Sequence, residues 1–95
     1  MKKINTVIFG ATGSIGKSAL SIISQKNQFI NIEGMTCNSN LKKLCKIADL
    51  HDVKKIGFNE NAVANLKKVK LNKYEVYNNI KNFDKIISDK TDIII

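Results

Sequence analysis

The chain has 95 residues, enough for one small domain or for part of a larger one. A hydrophobic fraction of 43% supports a packed core and excludes wholesale disorder. No apolar run is long enough to span a membrane or to serve as a secretory h-region, so a cytoplasmic protein is expected. The net charge of +8 invites a nucleic-acid reading, but all 16 basic residues are lysine and arginine is absent. The lysines stand singly or in pairs such as Lys42-Lys43, with no recognition motif beside them. A joint Lys, Asn and Ile bias fits AT-rich coding DNA better than a binding face, and a solvated lysine surface is expected.

Ile4–Phe9 reads as a first strand. Ser14–Gln25 follows as a helix, with Ile15, Ser18, Ala19, Ile22 and Ile23 at helical spacing. Phe29–Thr36 is the second strand. Asn38-Ser39-Asn40 offers cap chemistry for a second helix, whose apolar positions include Leu41, Leu44, Cys45, Ala48 and Leu50. Lys54–Phe58 is the third strand, and Asn59 caps a third helix with Ala62, Val63, Leu66 and Val69 on one face. Tyr74–Tyr77 is a short strand. Asn79–Ser88 is a short helix with Ile80, Phe83, Ile86 and Ile87 apolar, and Asp92–Ile95 begins another strand. Strands alternating with helices imply βαβ units with right-handed crossovers and a parallel sheet. The expected fold class is α/β, a Rossmann-like doubly wound parallel sheet.

The sequence ends within the apolar run Thr91-Asp-Ile-Ile-Ile95. In a doubly wound sheet that strand is central and leads into a ligand-facing loop. Residues 1–95 are therefore expected to be the N-terminal portion of a nucleotide-binding domain, an incomplete fragment with the rest of the site beyond Ile95.

Gly10-Ala-Thr-Gly-Ser-Ile-Gly16 carries the functional signal. It leaves a strand and opens a helix, the context in which a glycine pattern points to a dinucleotide site. Glycine allows a tight turn and close backbone approach. The helix start presents unpaired N–H groups and partial positive charge to a pyrophosphate. Thr12 and Ser14 add hydroxyls there. At the end of the second strand an acid would bind the ribose 2′-OH of NAD and repel the 2′-phosphate of NADP. Here Met35-Thr-Cys-Asn-Ser-Asn40 is polar and uncharged, Lys42 and Lys43 follow, and Glu33 sits within the strand rather than at its tip. These features favour NADP over NAD.

Cys37 and Cys45 lack metal-ligand spacing and read as reduced structural thiols, and His51 as a helix-end residue. No residue is assigned as a catalytic group or metal ligand.

The chain resembles the N-terminal part of the 1-deoxy-D-xylulose 5-phosphate reductoisomerase family. The resemblance rests on the Thr12-Gly-Ser-Ile-Gly16 string, the polar triplet Asn38-Ser39-Asn40 at the expected distance before Leu41, and the collinear elements down to Ile93–Ile95. It implies that Thr12, Gly13, Ser14 and Ile15 bind the pyrophosphate region of NADPH. It also implies that Asn38, Ser39 and Asn40 bind the adenosine ribose and its 2′-phosphate. Members often carry a glycine and a basic residue where this chain has Asn38 and Ser39. The family rearranges 1-deoxy-D-xylulose 5-phosphate and reduces the product with NADPH to 2-C-methyl-D-erythritol 4-phosphate, in non-mevalonate isoprenoid biosynthesis. It uses Mg²⁺ or Mn²⁺ as a Lewis acid, and a homodimer is expected at full length. Its metal ligands, catalytic groups and substrate-phosphate site lie downstream, so the 95-residue fragment alone is expected to be inactive.

Two enzyme classes and two non-enzymes rival this reading. Tyr77-Asn-Asn-Ile-Lys81 has the Tyr-x-x-x-Lys spacing of short-chain dehydrogenases and sugar-nucleotide epimerases, but it begins at a strand end and too early in the chain. Semialdehyde dehydrogenases open with a similar turn but need a later cysteine than Cys37 or Cys45. A non-catalytic nucleotide-binding module and a basic RNA-binding protein complete the alternatives.

Overall fold

Three consecutive residues at the end of β1 (Ile4–Ile8), Thr6, Val7 and Ile8, are buried. A strand loses exposure on both faces only when both are covered, as in a parallel sheet between helical layers. The computed structural model, which describes residues 3–26, 28–38, 40–59 and 73–95, has that arrangement. Its further strands are β2 (Ile30–Thr36), β3 (Lys55–Phe58), β4 (Glu75–Asn78) and β5 (Ile93–Ile94). They form one sheet in the order β4-β3-β2-β1-β5, and every pairing is parallel. The α/β parallel-sheet expectation holds.

The chain steps from β1 through β2 and β3 to β4 in one direction, then jumps back to the other side of β1. Right-handed crossovers place connections on opposite faces when that direction reverses. Helices α1 (Ser14–Gln25) and α2 (Leu41–Leu50) cover one face. Their Leu20, Ile23, Leu41, Leu44 and Ala48 form a single core with Ile8, Met35, Ile56 and Phe58. The third helix expected over Ala62–Val69 lies outside the described residues.

The opposite face is covered by a 3-10 helix, η1 (Ile80–Ile86). The sequence suggested an ordinary short helix here. Residues three apart eclipse one another in a 3-10 helix, so Ile80, Phe83 and Ile86 fall in one row. Phe83 and Ile86 of that row lie on small residues of the sheet, while Ile80 stays exposed. A Cβ added to Gly34 would stand 2.3 Å from Cγ2 of Ile86, and one on Gly57 would stand 2.8 Å from the Phe83 ring. The glycines let η1 sit directly on β2 and β3.

The buried line of α1 also differs from expectation. Gly16, Leu20 and Ile23 are the buried positions, whereas Ile15 and Ile22 are 78% and 62% exposed. The spacing of three and four from Gly16 selects the inward face because the glycine allows the first turn to close on the sheet. The bulkier Ile15 is thereby turned outward.

Helix α2 has the cap foreseen from sequence. Asn40 accepts from the Lys43 backbone N–H at 3.2 Å. Its C-terminus closes as a Schellman turn. Asp52 has φ +56, and the Val53 N–H donates to the Ala48 carbonyl at 2.8 Å. His51 is the C-cap, as its helix-end reading expected. Among the described residues no helix is long and apolar enough to cross a membrane.

Candidate functional site

The switch in strand direction occurs at β1, and the glycine segment leaves its carboxyl end. Open α/β sheets bind ligands at such a crevice. Gly10 takes φ +72, a conformation that favours glycine, and so turns the chain out of the strand. The turn is tied to β2 by one residue, Thr36. Its hydroxyl accepts from the Gly10 N–H at 3.0 Å, and its carbonyl accepts from the Ala11 N–H at 2.8 Å. The Gly13 N–H returns to the Gly10 carbonyl at 3.0 Å and completes the loop.

The three glycines have different jobs. Gly10 makes the turn. A Cβ on Gly16 would lie 2.5 Å from the Gly10 carbonyl oxygen and 2.6 Å from Ala11 Cα, so Gly16 permits close contact between helix and loop. A Cβ on Gly13 would meet only the Gly10 oxygen, at 3.4 Å, an ordinary contact. No neighbour within the described fold demands a glycine at position 13. Gly13 is the N-cap of α1, makes no side-chain cap bond, and is followed by a first turn without an acid. The helix start therefore has neither a side-chain cap nor an acid in its first turn to offset its positive end.

Ser14 and Ile15 stand exposed on that first turn, and Thr12 is partly exposed beside it. The Ile15 side chain makes no core contribution and faces outward at the same end.

The triplet is only partly brought to the site. Asn38 lies beyond β2, where its side-chain oxygen accepts from Asn59 Nδ2 at 2.6 Å. Asn40 is spent on capping α2. Ser39 lies outside the described residues. Asn59 bridges the ends of β2 and β3 through Asn38; the third helix it was expected to cap lies outside the described residues. A cavity of about 380 Å³ opens at these strand ends, bordered by Gly10, Thr36, Asn38, Asn59, Ile80 and Phe83. Sequence reasoning missed Thr36, Asn59 and the two η1 residues. The one available signal was that Thr36 and Asn59 each sit at the carboxyl end of a strand.

A second cavity, of about 400 Å³, lies at the opposite end of the sheet among Lys3, Gln28, Asn31 and His51. It faces strand amino ends, away from the switch point, and holds none of the motif residues.

Glu33 is held away from the site. It is the extra residue of a bulge in β2, between Ile32 and Gly34. Its carboxylate accepts from the hydroxyls of Ser88 and Thr91 and pairs with Lys55 at 3.4 Å. Burial works against its ionisation. The hydrogen bonds from Ser88 and Thr91, with Lys55, outweigh that and hold its pKa below the ordinary glutamate value. No acid therefore faces the end of β2 from inside the strand, as the cofactor argument required.

Two lysines, one in the first turn of each helix, approach one another. Lys43, in the first turn of α2, meets the Lys17 side chain of α1, and this contact and their mutual repulsion lower the Lys43 pKa. Among the described residues the ion pairs are Lys54–Asp52, Lys55–Glu33 and Lys73–Asp49, so neither Lys17 nor Lys43 has a carboxylate.

Tyr77 lies in β4, opposite Gly57, whereas Lys81 is in η1. The two do not share one helical face, so the dehydrogenase-like spacing has no matching geometry. The described residues contain no group of three or more His, Cys, Asp or Glu able to hold a metal ion. Cys37 and Cys45 are free and buried.

Comparison with known proteins agrees with this architecture. A family model described as 1-deoxy-D-xylulose 5-phosphate reductoisomerase matches residues 6–95. The reductoisomerase of Pelagibacter ubique is 39% identical over 95 residues, 98% of this chain and 24% of its own length. That of Endomicrobium trichonymphae is 36% identical over 100 residues, covering all of this chain and 26% of its own. A crystal structure of a reductoisomerase in complex with magnesium superposes with a TM-score of 0.83 at 30% identity, over 98% of this chain and 24% of that one. The Zymomonas mobilis enzyme in complex with NADPH shares the fold, with a TM-score of 0.75 at 22% identity, over 90% of this chain and 23% of its own. The chain thus spans about a quarter of the length of these relatives. It belongs to the 1-deoxy-D-xylulose 5-phosphate reductoisomerase family.

Proposed function

We propose that this chain is the N-terminal portion of the NADPH-binding domain of an enzyme that converts 1-deoxy-D-xylulose 5-phosphate to 2-C-methyl-D-erythritol 4-phosphate. The observation that carries this reading is the start of α1. It is a helix N-terminus at the switch point of a parallel sheet, with no side-chain cap, no acid in its first turn and a glycine that the fold itself does not require. A pyrophosphate supplies the missing acceptor.

In this reading Gly13, Ser14 and Ile15 present backbone N–H groups to the pyrophosphate. Thr12 and Ser14 add hydroxyl donors. Exposed Ile15 offers an apolar surface to the bound cofactor. Asn38, Ser39 and Asn40 border the adenosine ribose. NADPH, when bound, supplies the hydride for reduction, and Mg²⁺ or Mn²⁺ supplies Lewis acidity. No described residue is assigned to the metal, because no acidic or histidine cluster is present among them. The chain's own contribution is to fix the phosphates. Thr36 holds the loop rigid by fixing both Gly10 and Ala11.

The full-length protein is proposed to act as a homodimer on a sugar phosphate. The two free buried thiols fit a reducing cytoplasmic setting. The test is NADPH oxidation by the full-length protein, with 1-deoxy-D-xylulose 5-phosphate and Mg²⁺, followed at 340 nm. Turnover that requires both sugar phosphate and metal is expected. NADPH binding without turnover would instead favour a non-catalytic nucleotide module.

A further inference from the structure

Among the described residues the helical layer stops short of β5. Residues opposite one another on neighbouring strands share a face of the sheet. Ile93 pairs with Thr6, and the Ile95 N–H donates to the Val7 carbonyl, which sets Ile95 beside Ile8. Ile8 lies in the core beneath α1 and α2, so Ile93 and Ile95 belong to that same face. They are 47% and 42% exposed there, and β5 is the last described strand on its side of the sheet.

Helix α1 offers a matching flank. Gly16, Leu20 and Ile23 are turned to the sheet. The step of about 100° per residue in a right-handed helix then puts Lys17 and Ser24 on the side of α2, and Ala19 and Ile22 on the side of β5. Exposed Ile22 therefore overlooks the same space as Ile93 and Ile95. That trough is one helix wide, because packed helices lie about 8–10 Å apart, roughly two strand spacings. Right-handed crossovers continuing past β5, away from β1, lay their connections on the face held by η1 and leave the trough open. A second copy of the protein is a poor fit, since a stable interface takes about 20–30 residues a side. A tethered segment of the same polypeptide needs far less surface, because its local concentration is on the order of millimolar. The relatives are about four times as long as this chain, so such a segment is at hand.

We propose that a helix from beyond residue 95, outside the crossover that directly follows β5, seats between α1 and β5 in the full-length protein. Its apolar face covers Ile22, Ile93 and Ile95. This assignment rests on the reading of the chain as the N-terminal portion of a longer enzyme.

The test is alkylation of full-length Ile22→Cys by iodoacetamide, read by peptide mapping, with Ser21→Cys at an exposed neighbouring position as reference. Labelling at position 22 is expected to be roughly tenfold slower than at position 21. The occupant is identified in an equal mixture of isotopically light and heavy protein. Lys26, one turn further along the same flank, is crosslinked there with an amine-reactive diazirine. Crosslinks to residues beyond 95 within a single isotopic species are expected. Comparable labelling at positions 21 and 22 overturns the proposal. So do crosslinks that join the two isotopes, which assign the trough to a second copy, and crosslinks confined to the crossover directly after β5. Shielding of position 22 with the expected crosslinks but without reductoisomerase turnover would overturn the enzyme reading and leave the docking assignment standing.

Discussion

Glu33 accepts a 2.5 Å hydrogen bond from the hydroxyl of Ser88, 55 positions further along the chain. Thr91 donates to the same carboxylate, and Lys55 reaches it from β3. One side chain in a β-bulge therefore anchors the segment that leads from η1 into β5.

Acid titration should expose that anchor. The Glu33 pKa is depressed in the folded state, so its contribution is complete above the unfolded value of about 4.5 and is lost as pH falls through the folded value. Glu33→Gln should lower stability at neutral pH by about 1–3 kcal/mol, because a buried charge-assisted network loses its charge. The gap between variant and parent should narrow below about pH 4.5. Urea unfolding at pH 7 and pH 4 measures it. A gap independent of pH would show that Glu33 does not act through its charge.

The packing of η1 on the sheet makes a second prediction. Gly34→Ala would place a Cβ 2.3 Å from Ile86 Cγ2, inside any tolerated contact. Overpacking of this kind costs about 1–3 kcal/mol. Ile86→Ala alone should cost about 2–5 kcal/mol by leaving a cavity, but less in the Gly34→Ala background, where the new methyl occupies part of the space. A double-mutant cycle by urea denaturation should give a favourable coupling of about 1 kcal/mol or more. Strict additivity would mean that the two residues do not touch.

Much of this architecture was legible because its local rules agree with one another. The α1 boundaries, the Asn40 cap and the parallel β1, β2 and β3 follow from apolar runs punctuated by cap residues. What was hidden depends on tertiary closeness. Ile15 and Ile22 carry the right spacing for a buried face, yet the inward face belongs to Gly16, Leu20 and Ile23. Only a glycine can meet the Gly10 carbonyl, and hydropathy gives glycine no weight. The three-residue row Ile80, Phe83, Ile86 was visible as apolar, but the close approach of Ile86 to Gly34 and of Phe83 to Gly57 is a tertiary contact that periodicity does not carry. The bond from Asn59 to Asn38 spans 21 residues and has no local signature. The meeting of Lys17 with Lys43 has no local signature either.

The thiols provide a third test. Burial, with the neighbouring Cys45 adding a smaller effect, pushes Cys37 up to about 11, and burial likewise raises Cys45. At pH 8 the Cys37 thiolate is therefore ~100-fold scarcer than that of an ordinary thiol. Alkylation of the native protein by iodoacetamide should be slow at both residues and become rapid on unfolding. Peptide mapping after a short pulse at pH 8 checks this. Fast native labelling of Cys37 would mean that the end of β2 opens readily, contrary to its place in the core.

The contrast between Gly13 and Gly16 separates folding from binding within one motif. A methyl at Gly16 would lie within 2.7 Å of three backbone atoms of Gly10 and Ala11, none able to swing aside. Gly16→Ala should therefore destabilise the fold, by about 1–3 kcal/mol on the scale of other overpacked sites, and weaken cofactor binding only as a consequence. A methyl at Gly13 meets nothing closer than 3.4 Å. Gly13→Ala should leave the melting temperature within about 2 °C, since backbone φ there is an ordinary −84°. It should nonetheless weaken NADPH binding by tenfold or more, because the methyl would occupy the approach to the N–H groups of α1. Thermal denaturation and fluorescence titration with NADPH, performed on both variants of the full-length protein, distinguish the two effects. If Gly13→Ala binds NADPH as tightly as the parent, the pyrophosphate does not rest on this helix start, and the role proposed for Thr12, Gly13, Ser14 and Ile15 falls with it.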